Sequence, residues 1–247
     1  MGVAEQRELR AWLEVARSYG LSGAQALTES ASAAVAEVAP PQAEAPPQAS
    51  APPQPAADAP LRGIPGLVRV EQIMGDCRRC GLCEGRRTMV YGEGNPDAEL
   101  MFIGEGPGAR EDATGRPFVG PAGELLTKMI EAGMKRPRGS VFITNVVKCR
   151  PPNNRNPEPP EVASCAPFLA AQVEAVNPRM IVLLGGVALK ALRPGGPGIM
   201  RSRGRFIEVF GRPTMPTFHP SYLLRRPEAK IDAWRDLQAV MERLGWS

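Results

Sequence analysis

The chain has 247 residues, 43% of them hydrophobic, with 30 basic and 26 acidic side chains and a net charge of +4. That composition suits one buried domain of roughly 180–200 residues plus extensions, and it excludes a helical membrane span: the longest apolar run, Met180 to Leu189, contains two glycines and is about half the length a span needs. No basic stretch followed by an apolar core is visible near the first residues, so no export signal is expected and a cytoplasmic, nucleoid-associated location is the default.

Charge is unevenly placed. Residues 1–60 hold three basic and seven acidic side chains (−4), which leaves 27 basic against 19 acidic (+8) in the remainder. A basic body permits a polyanionic partner, though an ordinary solvated surface has the same composition.

In chain order, residues 4–19 set Leu9, Trp12, Leu13, Ala16 and Tyr19 on one helical face, which predicts an amphipathic helix ending near Gly20. This helix, within residues 1–21, either docks a protein partner or packs back on the body. Residues 22–62 are rich in Ala, Pro, Gln and Glu, with Pro-Pro pairs at 40, 46 and 52. Such a segment holds too little apolar surface to offset its ordering entropy and is expected to be a disordered linker. Residues 63–247 read as one domain, expected to be monomeric.

Within that domain Leu100–Gly104 is a buried-strand run opening onto a Gly-rich loop, and Pro121–Gly133 has helical spacing. Val141–Val147 is strand-like, Pro160–Val176 helical, and Met180–Leu184 a second buried strand before Gly185-Gly186. Phe206–Phe210 and Thr214–Phe218 are short strand candidates, and Ile231, Trp234, Leu237 and Met241 mark a closing helix. Apolar strands alternating with helices predict an α/β fold with a mostly parallel sheet. Ligands bind such sheets at the carboxyl ends of the strands. The loops richest in chemistry fall there: Gly104–Asp112, Asn145–Arg150 and His219–Arg225.

Cys77 and Cys80 are two residues apart, Cys149 and Cys165 lie far downstream, and Cys83 makes five. In a reducing compartment this pattern favours metal binding or redox chemistry over disulfides. Four thiolates suit zinc or a [4Fe–4S] cluster equally on spacing alone, and small buried cysteines without metal are the bland alternative. Either centre would tether the segment before Glu99 to the Pro- and Asn-rich loop Arg150–Glu161.

Gly104, Gly106 and Gly108 would let backbone N–H groups approach a ligand, although an ordinary tight turn has the same pattern. It matches neither a P-loop nor a dinucleotide fingerprint. Phe118, framed by Pro117 and Gly120, could stack on a flat ligand or simply fill core. Asn145 could read the edge of a pyrimidine or cap a turn. His219 is the sole histidine, so imidazole chemistry can occur only there. His219-Pro220-Ser221-Tyr222-Leu223-Leu224-Arg225 adds a hydroxyl, apolar wedge candidates and a cation, which suits a minor-groove element.

Five strings in order complete the reading: C-x2-C-x-L, GEGPG with Glu111-Asp112, PFVG, ITNVVKCRPP with a Cys sixteen positions on, and HPSYLLR. Together, from about Val70 to Leu244, they resemble the family 4 uracil-DNA glycosylases. The resemblance implies a three-layer α/β/α fold and a [4Fe–4S] cluster on Cys77, Cys80, Cys149 and Cys165. It implies that uracil stacks on Phe118, is read by Asn145, and is held by backbone around Gly106 within the Gly104–Gly108 loop. Glu111 would stand beside uracil C5, Ser221 and Arg225 would meet DNA, and Leu223 would fill the hole left by the flipped base. His219 is the expected donor to uracil O2. Better-known relatives orient water with an Asp where this chain has Gly106, so Glu105 is the candidate carboxylate. The expected activity is hydrolysis of deoxyuridine in single- or double-stranded DNA. A uracil-DNA binder without turnover, a covalent trap, or an iron–sulfur sensor are the alternatives; Pro151–Pro160 holds no histidine, which counts against trapping.

Overall fold

The structure is a computed structural model that describes residues 61–246; the expected helix over residues 4–19, and all but the last two residues of the expected linker, lie outside the described residues. Six strands form one sheet in the order β1-β3-β2-β4-β6-β5. They are β1 (Glu93–Gly94), β2 (Leu100–Gly104), β3 (Phe142–Asn145), β4 (Met180–Leu184), β5 (Ile207–Val209) and β6 (Arg212–Thr217). The four central strands run parallel, and β1 and β5 close the edges antiparallel.

The two buried runs β2 and β4 are apolar at every position because both faces of the sheet are covered. Leu100, Phe102, Met180, Val182 and Leu184 face one way. There they meet Leu126 of α4 (Pro121–Lys128), Ile130 of the π turn that continues it, and Leu237, Val240 and Leu244 of α9 (Lys230–Leu244). Met101, Ile103, Ile181 and Leu183 face the other way, onto Leu169, Ala170 and Val173 of α5 (Pro159–Val176) and Leu189 of α6 (Gly186–Leu192). This alternation makes three layers, α/β/α, as expected.

Two departures from expectation have physical reasons. The closing helix starts at Lys230, but Ile231 is 62% exposed, and the buried stripe runs through Ala233, Leu237, Val240 and Leu244. The helix α1 (Gly63–Met74) was not foreseen, since Ile64 and Val68 face solvent and blur its apolar period. Its Val70 and Met74 pack on Phe168 and Ala171 of α5. A side chain on Gly66 would come within 2.8 Å of Ala175 Cβ, so the helices can cross only at a glycine. A single-turn helix, α2 (Leu82–Gly85), follows and buries Leu82.

No helix among the described residues is long and apolar enough to cross a membrane. The carboxyl ends of β2, β3, β4 and β6 open on one edge, and the site lies there.

Candidate active site

Gly104 ends β2 directly opposite Asn145, which ends β3. A methyl group on Gly104 would sit 2.5 Å from both Asn145 Oδ1 and Phe118 Cζ. The glycine therefore leaves the floor on which amide and ring converge. Asn145 is 1% exposed, and its Oδ1 has no hydrogen-bond partner among the described residues. Phe118 is buried with φ 52°, a left-handed conformation that a bulky residue adopts only when its surroundings impose it. Gly123 helps impose it: a side chain there would lie 1.9 Å from the Phe118 carbonyl oxygen. Arg138 Nη2 donates to Pro117 O at 2.8 Å and to Glu93 at 2.8 Å, pinning the same loop to the β1 edge.

His219 follows β6 and closes the third side. Its ring centroid is 5.7 Å from that of Phe118, and a side chain on Gly185, at the end of β4, would come within 2.9 Å of His219 Cβ. The Ser221 backbone N–H donates to His219 Nδ1 at 3.1 Å, and the Ser221 hydroxyl lies 2.8 Å from the same nitrogen. Nδ1 is thus an acceptor, and the proton of the neutral ring resides on Nε2. Burial, reinforced by the Arg225 cation and opposed by Glu111, takes the pKa down to about 4, so the ring is neutral at physiological pH.

The carboxylates of the first loop differ in their surroundings. Glu111 lies on α3 (Ala109–Thr114), for which Gly108 is the N-cap. Its Oε1 accepts from the backbone N–H groups of Val119 and Gly120, both at 2.9 Å, so it clamps the turn that carries Phe118. Glu105 is half-buried, and burial alone raises its pKa above the usual carboxylate range. Gly106 abuts the β3 exit loop, where a side chain would come within 2.8 Å of Val147 Cγ2.

The string after His219 forms α8 (Pro220–Arg225). Leu223, the expected wedge, is 1% exposed and belongs to a cluster with Phe218, Ala233, Leu125 and Met129. A side chain held in that cluster cannot reach a base step without unpacking it. Leu224 is the exposed neighbour, at 45%, and Arg225 is exposed beside it. The Ser221 hydroxyl is turned toward His219 instead of outward.

The family model for the uracil DNA glycosylase superfamily matches residues 91–238, a span holding Phe118, Asn145 and His219. The chain belongs to that superfamily. A type-4 uracil-DNA glycosylase of Thermotoga maritima is 53% identical over 152 residues, covering 60% of this chain and 78% of the relative. One of Saccharolobus solfataricus is 42% identical over 176 residues, covering 68% and 82%. A type-5 uracil-DNA glycosylase of Pyrobaculum aerophilum is more distant, 32% identical over 155 residues, covering 56% and 67%. The chain therefore sits with the type-4 members.

In this uracil DNA glycosylase superfamily member Cys149 follows the β3 exit, and Arg86 ties it to the Cys77 backbone. Cys77, Cys149 and Cys165 are buried and Cys80 is half-buried. Burial pushes the Cys149 thiol up, with repulsion from Cys80 and Cys77 adding and Arg86 opposing, while Cys165, beside Cys149 and Cys80, is pushed up to about 12. Arg86 joins the two pairs, since its Nη1 that reaches Cys149 also donates to Cys77 O at 2.6 Å, and the Cys83 N–H donates to Cys80 O at 3.2 Å. Among the described residues no three His, Cys, Asp or Glu side chains close on a single point as one metal ion requires. A four-iron cube holds its thiolates further apart than a single ion does, and the donors around the sulfurs suit it. The Arg86 guanidinium donates to Cys149 Sγ at 3.2 Å, and the Lys148 N–H faces the Cys165 thiol. Lys148 is wholly buried, and its Nζ donates to Asn145 O at 2.7 Å and to Thr144 Oγ1 at 2.6 Å. Sequence reasoning passed over this lysine, and the only available signal was a charged residue inside an otherwise apolar strand exit.

Proposed function

We propose that this chain hydrolyses the N-glycosidic bond of deoxyuridine in DNA, releasing uracil and leaving an abasic site. The observation that carries this reading is the buried, unpartnered Asn145 Oδ1, set against the Phe118 ring with the His219 imidazole alongside. A buried acceptor without a donor costs about 1–3 kcal/mol. The imide N–H of a uracil lying on Phe118 would satisfy it, and the Asn145 amide nitrogen would donate to O4. Cytosine carries a lone pair where uracil carries that N–H, so the same amide disfavours it.

A target nucleotide must leave the stack to enter, which costs a few kcal/mol and less when mispaired. Bond cleavage then builds negative charge on the departing uracil. The Nε2–H of neutral His219 is the donor to O2, a placement worth about a hundredfold to a thousandfold in rate. Glu105, a stronger base because it is buried, orients the water that captures the sugar cation. Glu111 is a positioning residue that holds Phe118 in its strained turn, and backbone around Gly106 and Gly108 lines the loop above it. Leu224 takes the wedge role expected of Leu223, Arg225 meets phosphate, and Ser221 orients His219.

Cys77, Cys80, Cys149 and Cys165 would hold a [4Fe–4S] cluster, which when bound supplies a covalent tie between the segment before β1 and the β3–α5 connection. Arg86 and the Lys148 N–H would stabilise its thiolates.

The test is a denaturing gel on an end-labelled duplex with one uracil, alongside an assay for free base. An alkali-dependent break at the uracil with stoichiometric free uracil is expected. An intact strand, or a shifted band that resists denaturant, contradicts turnover.

A further inference from the structure

Residues 186–206, between β4 and β5, contain Lys190, Arg193, Arg201, Arg203 and Arg205 and no acidic residue. Arg203 is used internally, with Nη2 on Asp236 Oδ1 at 2.7 Å and on Asp232 O at 2.6 Å. Lys190, Arg193, Arg201 and Arg205 are exposed, and none forms an ion pair among the described residues. Glu208, on β5, is the first acidic side chain beyond the stretch.

The short helix α7 (Ile199–Ser202) rises from this segment. Met200 on it is 70% exposed, the most of any large apolar side chain described. Its neighbour Ile199 is partly buried and packs against the cluster of Phe218, Leu223 and Ala233 that anchors α8. Ile199-Met200-Arg201 thus repeats the inward, outward, cationic order of Leu223-Leu224-Arg225, and both tips stand on one cluster next to His219. The segment also begins at the site, since Gly185 abuts the His219 side chain.

We propose that the α6–β5 segment is a second DNA-contacting arm, with Arg193, Arg201 and Arg205 on backbone phosphates and Met200 seated against the bases uncovered when the target nucleotide leaves the duplex. An exposed methionine among cations that no acid neutralises is costly for a surface facing water alone, and it matches a polyanion with exposed base faces. Duplex DNA is the occupant to which the chemistry points: phosphates recur along both strands, and only a duplex has a partner base left unstacked. This arm rests on the glycosylase reading for its location beside the lesion.

The test uses the full chain with a single-uracil duplex and the matching single strand. Replacing Arg193, Arg201 and Arg205 together by Gln should flatten the plot of log K against log salt for the duplex by about 2 to 3, at roughly 0.9 for each phosphate no longer neutralised. An unchanged slope overturns the phosphate assignment. Met200→Ala should slow uracil release from the duplex roughly fivefold or more while single-strand release stays at the wild-type rate. Equal rates for wild type and variant on the duplex, or an equal loss on both substrates, overturns the seating of Met200. All four side chains are exposed, so unchanged melting temperatures separate these effects from misfolding. Should the wild type release no uracil from either substrate, the glycosylase reading fails, whereas the salt slope still reports on the arm.

Discussion

With Nδ1 engaged by the Ser221 amide, the His219 ring can carry its proton only on Nε2, and burial together with Arg225 holds its pKa near 4. In the proposed mechanism the neutral ring is the donor. Between about 6.5 and 4 the unfolded chain takes up a proton that the folded ring refuses, so this group's contribution to stability is lost as pH falls through that window and is constant above it. The single-turnover rate should show no inflection near 6.5; a rate that falls as the pH is raised through that value would mean that the imidazolium is required. Glu105 behaves in the opposite sense. Its raised pKa places the acid limb of the rate profile above the ordinary carboxylate range, because the base must be ionised. Glu105→Gln should remove that limb and slow the reaction by about a hundredfold, and a variant retaining both limb and rate would reassign the water-orienting role.

At the scale of the element, α8 separates two adjacent leucines by their burial. Leu223→Ala removes a core side chain and should cost about 2–5 kcal/mol of stability. Leu224→Ala should leave the melting temperature unchanged and slow turnover on duplex DNA. Thermal melting and duplex turnover on the two variants check this, and the reverse pattern would restore the wedge to Leu223. The sequence could not separate them, because both are Leu on one short helix and only the packing of Phe218, Ala233 and Met129 selects which turns inward. The same limit hid α1, whose outward Ile64 and Val68 break the expected period. By contrast β2 and β4 were legible to the residue, since unbroken apolar runs bounded by glycine admit little besides a doubly covered strand. Of the candidate site, the three side chains that the structure brings together, Phe118, Asn145 and His219, are ones the sequence singles out. The bonds that orient them could not be read in advance: Glu111 on the Val119 and Gly120 amides, Ser221 on Nδ1, and Lys148 on the Asn145 carbonyl are set by the fold, and none follows from spacing.

Across the whole molecule, the cysteines and the candidate site share the β3 exit: Asn145, the proposed reader of the base, ends the strand, Cys149 lies four residues on, and Lys148 touches both neighbourhoods. Cys77 also belongs to the cluster that seats α1 on α5. The purified protein should be brown, with a broad band near roughly 400 nm and iron in proportion to protein. Stripping the iron should make residues 61–92 sensitive to protease before the sheet. A colourless protein with stoichiometric zinc would remove the cluster, though it would leave the pocket standing. The pocket itself depends on three loops acting on a single ring. The most direct measurement is single-turnover uracil release by Phe118→Ala, Asn145→Ala and His219→Ala, each with its DNA affinity. Every variant should lose at least about tenfold in rate, and His219→Ala a hundredfold or more, while DNA affinity stays near that of the wild type; wild-type release by any one of them would show that its loop does not serve the site.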